Sequence, residues 1–204
     1  MYLSRVRLMP GRLDNAWEWH RALWTLFPGI ERKPNESAPF LYRMERMNLA
    51  QGAEVLMQSA IEPKQLSARA QLLAVRQFDP KPSEGQMLAF RLTANVTKAI
   101  RDKDKPERKI RVPLIKEEQQ RAWLERKLGE AASNIRNLHI QRHPPLYFRK
   151  GQRPGKIVTV SFEGEFVVDN VQTLSRLLKG DADHPSGIGP AKAFGCGLML
   201  IRRA

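Results

Sequence analysis

Asp79-Pro80-Lys81-Pro82-Ser83-Glu84-Gly85 divides the chain. Two prolines, a serine and a glycine packed this closely suit neither a helix interior nor a central strand, because proline lacks the N–H that both ladders need. Read as a linker at residues 81–86, the stretch leaves a first unit at 1–80 and a second at 87–204.

Backward from the linker, residues 71–78 read as extended. Residues 53–60 and 40–47 are strand candidates joined by a turn at Gln51-Gly52. Residues 29–39, with Pro34 and Pro39, are loop-like. Before them a helix is expected to start at a cap on Asp14 or Asn15 and run to about Phe27, where Pro28-Gly29 stops it. Tyr2–Leu8 alternates as a strand. The order β-α-β-β-connector-β is the ferredoxin-like plan. Forward from the linker the pattern restarts. Residues 87–97 alternate as a strand, and 117–132 form a helix with Ala122, Trp123, Leu124, Leu128 and Ala131 on one side. Residues 138–148 and 156–168 read as paired strands. A helix at 171–178 is capped by Asp169 or Asn170, and 193–201 closes as a final strand. The expected fold is α+β, two tandem ferredoxin-like (βαββαβ, RRM-like) domains.

The 204 residues carry 35 Lys+Arg against 21 Asp+Glu, a formal charge of +14, and 42% are hydrophobic. That apolar share builds a core, which excludes a disordered basic tail. No apolar run approaches the ~18–20 residues that cross a bilayer. The N-terminus alternates polar and apolar residues, unlike a signal peptide. Cys196 is the single cysteine, which excludes an internal disulfide and fits a reducing cytoplasm. Such charge suggests a polyanionic partner. A membrane surface wants a basic amphipathic helix with an apolar face; here the charge is spread through loops and strands, so nucleic acid is the expected polyanion.

Residues 98–111 hold seven basic residues, Lys103 among them, three acids and Pro106, and are expected to form a mobile connector. Between Glu130 and Glu163 there are 32 positions without an acid, containing Arg136, Arg142, Arg149, Lys150, Arg153 and Lys156 with His139 and His143. Four of these bases crowd residues 148–156, expected as the tip between two strands. A basic hairpin of that kind can follow a phosphate backbone, and counterion release would make its grip salt-sensitive. Further on, Ser186-Gly187-Ile188-Gly189-Pro190-Ala191-Lys192 is neither a dinucleotide fingerprint nor a P-loop. Gly187 and Gly189 could bring backbone N–H groups up to a phosphate, with Lys192 supplying charge. The plainer alternative is a tight connection packed onto the sheet, with Gly195 and Gly197 making a bulge.

On the first helix, His20 falls at helical spacing from Ala16, Trp17, Leu23 and Trp24. Taken alone it reads more readily as a core histidine with one satisfied hydrogen bond than as a proton shuttle, although an imidazole titrates at ~6.5, near neutrality. No HxH, HExxH, CxxC or GxSxG occurs, so neither a metal site nor a serine hydrolase is supported. A basic protein with one candidate proton shuttle suggests metal-free RNA cleavage, in which the substrate's own 2′-OH is the nucleophile.

Several motifs then coincide. They are Met1-Tyr2-Leu3-Ser4; His20 followed by Leu23-Trp24-Thr25-Leu26-Phe27-Pro28; Val112-Pro113-Leu114-Ile115-Lys116-Glu117; and Ala122-Trp123-Leu124 with Arg126-Lys127-Leu128-Gly129. Phe162-Glu163-Gly164 and Gly187-Ile188-Gly189-Pro190-Ala191-Lys192 with Phe194-Gly195-Cys196-Gly197-Leu198 complete the set. Together they resemble the CasE family, the CRISPR-RNA-processing endoribonucleases of type I-E systems and subunits of the Cascade surveillance complex. The resemblance spans nearly the whole chain. It implies the tandem ferredoxin-like fold, metal- and cofactor-free cleavage at the 3′ base of a repeat hairpin, and retention of the hairpin product beside other Cascade subunits. It places the catalytic histidine on His20. The family pattern has a tyrosine three residues earlier, where this chain has Trp17, whose indole donates a hydrogen bond but exchanges no proton near neutrality. His20 is therefore expected as base toward the 2′-OH or acid toward the 5′ oxygen. Lys156 or Lys192 is expected to stabilise the phosphorane charge. Arg21, Arg149, Lys150, Arg153, Lys156, Gly187, Gly189 and Lys192 are the expected RNA contacts. The rival reading is a non-catalytic hairpin-binding subunit, with His20 structural and Trp17 marking a lost activity.

Overall fold

In the first strand, β1 (Tyr2–Leu8), Leu3, Val6 and Leu8 are buried while Arg5 and Arg7 face solvent. The computed structural model describes residues 1–11, 14–31, 36–48, 50–65, 68–102, 105, 107–181 and 184–204. Pro34, Lys103 and Pro106 lie outside them. Asn15 caps helix α1 (Ala16–Trp24), its side chain accepting from the Trp17 N–H at 3.2 Å. The helix stops before Phe27 because Thr25, Leu26 and Phe27 donate to carbonyls three residues back, a tighter turn. Strands β2 (Phe40–Asn48), β3 (Gly52–Ser59) and β4 (Ala70–Gln77) complete an antiparallel sheet in the order β2-β3-β1-β4. That order is the ferredoxin-like one, with β3 slotted between β1 and β2. Ala16, Trp19 and Leu23 of α1 share a core with Val6, Tyr42, Val55 and Met57.

After Gly85 the second half opens with β5 (Met87–Ala94), β6 (Thr97–Arg101) and β7 (Lys109–Pro113). Helix α2 (Glu117–Leu128) and a 3-10 turn (Gly129–Ala131) lead into β8 (Ala132–Arg142). Then come β9 (Leu146–Lys150), β10 (Arg153–Ile157), β11 (Val160–Val168), α3 (Val171–Lys179) and β12 (Met199–Arg203). The main sheet runs β12-β5-β11-β8, all antiparallel, repeating the first sheet's topology. Trp123 of α2 stacks on Phe162, 6.2 Å between centroids, over a core with Phe90, Leu92, Phe166 and Leu174. The fold is thus α+β with two ferredoxin-like sheets in tandem.

Four expectations need correction. The described residues at 98–101 and 109–111 are not a loose connector. β6 pairs with β7 in its own two-stranded sheet, Ile100 opposite Ile110. The strand expected at 87–97 ends at Ala94, where the Asn95 side chain donates to the Val158 carbonyl at 2.8 Å and the chain leaves the sheet. Residues 138–148 do not form one strand with 156–168 as its mate. β8 pairs with β11, and β9 with β10, because Pro144 and Pro145 cannot continue a ladder and the His143 N–H turns to the Thr159 carbonyl. The last strand begins at Met199, since Gly195 and Gly197 hold φ of +79° and +93°, outside the extended region.

Candidate active site

His20 lies on the fifth position of α1 and is only 6% exposed. Its ring packs among Phe40 at 5.3 Å, Trp17 at 5.8 Å and the edge of Trp24 at 6.2 Å. It nevertheless lines a cleft of about 570 Å³ between the halves, whose opposite wall includes Lys179, Asp181, His184 and Lys192. Contacts from the first sheet to the second half join the two walls. The buried Gln58 side chain donates to the Leu178 carbonyl at 2.6 Å, and the Tyr42 hydroxyl donates to the Ala193 carbonyl at 2.9 Å.

Lys192 opens a 3-10 turn (Lys192–Phe194) after Ala191, which adopts a left-handed φ of +64°. Its ammonium donates to the carbonyls of Pro185, at 3.3 Å, and Ser186. Burial, and then the nearby charge of Lys127, hold it below the usual lysine range. The glycines before it pack. A Cβ on Gly187 would lie 2.6 Å from Leu41 Cδ1, and one on Gly189 3.0 Å from the Trp123 ring. The Gly187 N–H is already given to the Leu177 carbonyl at 2.9 Å. Gly187 is therefore a packing glycine rather than an amide donor to phosphate, and the packed-connection alternative describes it.

The basic hairpin β9–β10 belongs to the second half of the chain but lies on the first helix. Asn15, beyond capping α1, brackets Arg149: its Nδ2 donates to the Arg149 carbonyl and the Arg149 N–H donates to its Oδ1, each at 3.0 Å. Lys150 Nζ stands 4.7 Å above the Trp17 ring, a cation–π contact. Phe148 lies against Phe194 at 4.4 Å, and Phe194 against Trp17 at 6.0 Å. Gly155, opposite Phe148 in the pair, leaves that ring its space: a Cβ there would meet it at 2.2 Å. Arg153 pairs with Lys150 in register and is exposed.

The structure thus brings His20 and Lys192 to one cleft, with Arg149, Lys150 and Arg153 on the hairpin clamped to the helix bearing His20. It does not bring Lys156 into that cleft. Lys156 is exposed on β10, across from Tyr147. Arg21 also points elsewhere, ion-paired to Glu18 at 3.0 Å beside Met9 and Pro10. Cys196 is no nucleophile, since burial pushes its thiol up to about 12. Tyr42 is no proton shuttle, since burial drives its hydroxyl well above the ordinary range. Sequence reasoning missed the docking of the hairpin on α1. Its signal was Leu146 and Phe148, two apart in an otherwise cationic run and both packed on the first core.

Two ferredoxin-like sheets, a histidine in the cleft between them and a cationic hairpin fixed beside it define a nucleic-acid-processing protein. The chain belongs to the CRISPR-associated protein family, whose model matches residues 1–203. It is similar to the CRISPR system Cascade subunit CasE of Escherichia coli (strain K12), 38% identical over 207 residues that cover 98% of each chain. The crystal structure of the CRISPR-associated protein Cas6e from Escherichia coli K-12 matches all of both chains with a TM-score of 0.84 at 36% identity. A structure of CRISPR endoribonuclease Cse3 bound to a 19-nucleotide RNA matches with a TM-score of 0.76 at 27% identity, covering 99% of this chain and all of that one.

Proposed function

We propose that the chain is a metal-independent endoribonuclease that cuts CRISPR precursor RNA at the 3′ base of the repeat hairpin and keeps the hairpin product as a Cascade subunit in the cytoplasm. Its working units are residues 1–80 and 87–204, joined through 81–86. The observation that carries this is the meeting of His20 and Lys192 in one cleft beside a basic hairpin. The similar Cse3 is named a CRISPR endoribonuclease and binds a 19-nucleotide RNA, and the similar CasE is a Cascade subunit.

In such a reaction the 2′-oxygen attacks the adjacent phosphorus and the bond from phosphorus to O5′ breaks. The products are a 2′,3′-cyclic phosphate (or 3′-phosphate) and a 5′-hydroxyl. One proton leaves the 2′-oxygen and another reaches O5′; His20 handles one of these transfers. Lys192 faces the developing phosphorane charge, with Lys156 outside the cleft as the second candidate. Arg149, Lys150 and Arg153 hold phosphates of the hairpin, and Gly189 lies in the loop that carries Lys192.

A second reading, a hairpin-binding subunit without catalysis, is favoured by the burial of His20 among aromatic rings and by Trp17. Incubating a repeat RNA with the protein and with His20→Ala, in EDTA, separates the two. Cleavage by the parent and not by the mutant, with binding kept, supports the enzyme. Equal cutting by both, or a need for Mg²⁺, would sink the mechanism, and no cutting by either would support the binding subunit.

A further inference from the structure

Phosphodiester cleavage by a 2′-OH needs two proton transfers at two oxygens, and one imidazole in contact with the 2′-oxygen does not reach O5′ at the same moment. The helix offers no second shuttle, because Trp17 exchanges no proton near neutrality. Tyr42 has its hydroxyl on the Ala193 carbonyl and Cys196 is buried. On the far wall of the cleft the ammonium of Lys192 is engaged by two carbonyls, and Lys179 is paired with Asp79.

The same wall carries a second imidazole. His184 Nδ1 is 3.0 Å from Asp181 Oδ1, and the His184 N–H donates to that oxygen at 2.7 Å. Asp181 returns its own N–H to the His184 carbonyl at 2.9 Å, and Arg176 grips its other oxygen at 2.8 Å. Asp181 and His184 therefore hold each other through backbone and side chain. A carboxylate on Nδ1 orients the ring and leaves Nε2 for proton transfer to substrate. Directly after His184 come Pro185 and Ser186, whose carbonyls are the ones that Lys192 holds. The loop bearing His184 is thus fastened to the residue placed on the phosphorane charge.

We propose that His184, positioned by Asp181, is the general acid of the reaction, facing His20 as the general base across the cleft. The inference rests on the reading of the chain as a 2′-OH endoribonuclease. His20 takes the 2′ proton as the 2′-oxygen bonds to phosphorus. The His184 Nε2–H gives its proton to O5′ as the bond from phosphorus to O5′ breaks. The two imidazoles end with exchanged protonation, restored through solvent.

The test uses the whole protein at saturating concentration with two repeat RNAs. One is natural. The other carries sulfur in place of O5′ at the cut, a leaving group that departs as thiolate without a proton. His184→Ala is expected to cleave the natural RNA on the order of 10²-fold more slowly than the parent and the sulfur RNA at the parent's rate. His20→Ala is expected to be slow on both. A His184→Ala protein as fast as the parent on natural RNA would overturn the proposal. So would one slowed equally on both RNAs, which marks a structural role. Rescue of His20→Ala by sulfur would make His20 the acid and overturn it too. Parental cutting of both RNAs by His20→Ala would overturn the assignment of His20 itself.

Discussion

Asn15 shows how much one side chain carries at this site. Its oxygen accepts from the Trp17 N–H at the first turn of α1 and from the Arg149 N–H, while its amide donates to the Arg149 carbonyl. Asn15→Ala removes a helix cap and leaves two backbone groups of the hairpin without their protein partners. The expected loss is about 1–2 kcal/mol, on the scale of N-cap replacements, read from urea unfolding of parent and mutant. A change of only a few tenths of a kcal/mol would mean that water replaces Asn15 without cost. His20 teaches the opposite lesson. Its helical neighbours were legible as an aromatic face, and burial among Trp17, Trp24 and Phe40 follows from that spacing. What spacing along one helix could not supply was the other wall of the cleft, contributed by residues more than 150 positions away in the sequence.

At the scale of elements the proposed grip on RNA rests on the hairpin β9–β10. Each phosphate that a cation neutralises releases counterions, so losing Arg149, Lys150 and Arg153 together should weaken RNA binding and lower the slope of log affinity against log salt by about one per lost phosphate contact. Affinities of the triple alanine variant across a salt series check this, and an unchanged slope would move the binding surface to β6–β7. A second prediction belongs to the pair β8–β11. His143, just past β8, places Nε2 2.7 Å from the Ser161 hydroxyl on β11, and burial holds its imidazole below the ordinary histidine range. The unfolded chain therefore binds a proton at pH values where the folded one does not. Stability is full above the unfolded histidine value of ~6.5 and falls as pH drops below it. Replacing His143 by Gln should flatten the loss of urea midpoint between about pH 7 and pH 5; an equally steep loss would place the acid sensitivity elsewhere. Most elements were readable because apolar alternation and caps are local: β1 and α3's cap at Asn170 fall where the pattern put them. The basic hairpins were not. β6–β7 buries no residue fully and shows only Ile100 and Ile110 as an apolar pair, so its sequence looks like a charged loop. The split between β8 and β9 was signalled by Pro144 and Pro145, yet alternation resumes on either side and hides the break.

For the whole molecule, the net charge of +14 acts through placement. The cationic hairpin of the second half is fixed to the helix of the first that bears His20, by Asn15 and by Lys150 over Trp17. On the proposed function this hairpin holds the RNA hairpin and not the segment beyond the cut, so breaking one phosphodiester at the base of the stem removes none of its contacts. Cleavage should leave the 5′ fragment with its hairpin bound nearly as tightly as the precursor. With RNA in excess, product should rise to the amount of enzyme present and stop. Because that grip is largely electrostatic, added salt should release product and restore turnover before it abolishes cutting. Plateau height against enzyme concentration, at low and raised salt, reads both effects. Continuous turnover at low salt would show that the cut itself loosens the hairpin, and the docking of β9–β10 on α1 would then serve positioning of the scissile phosphate rather than retention.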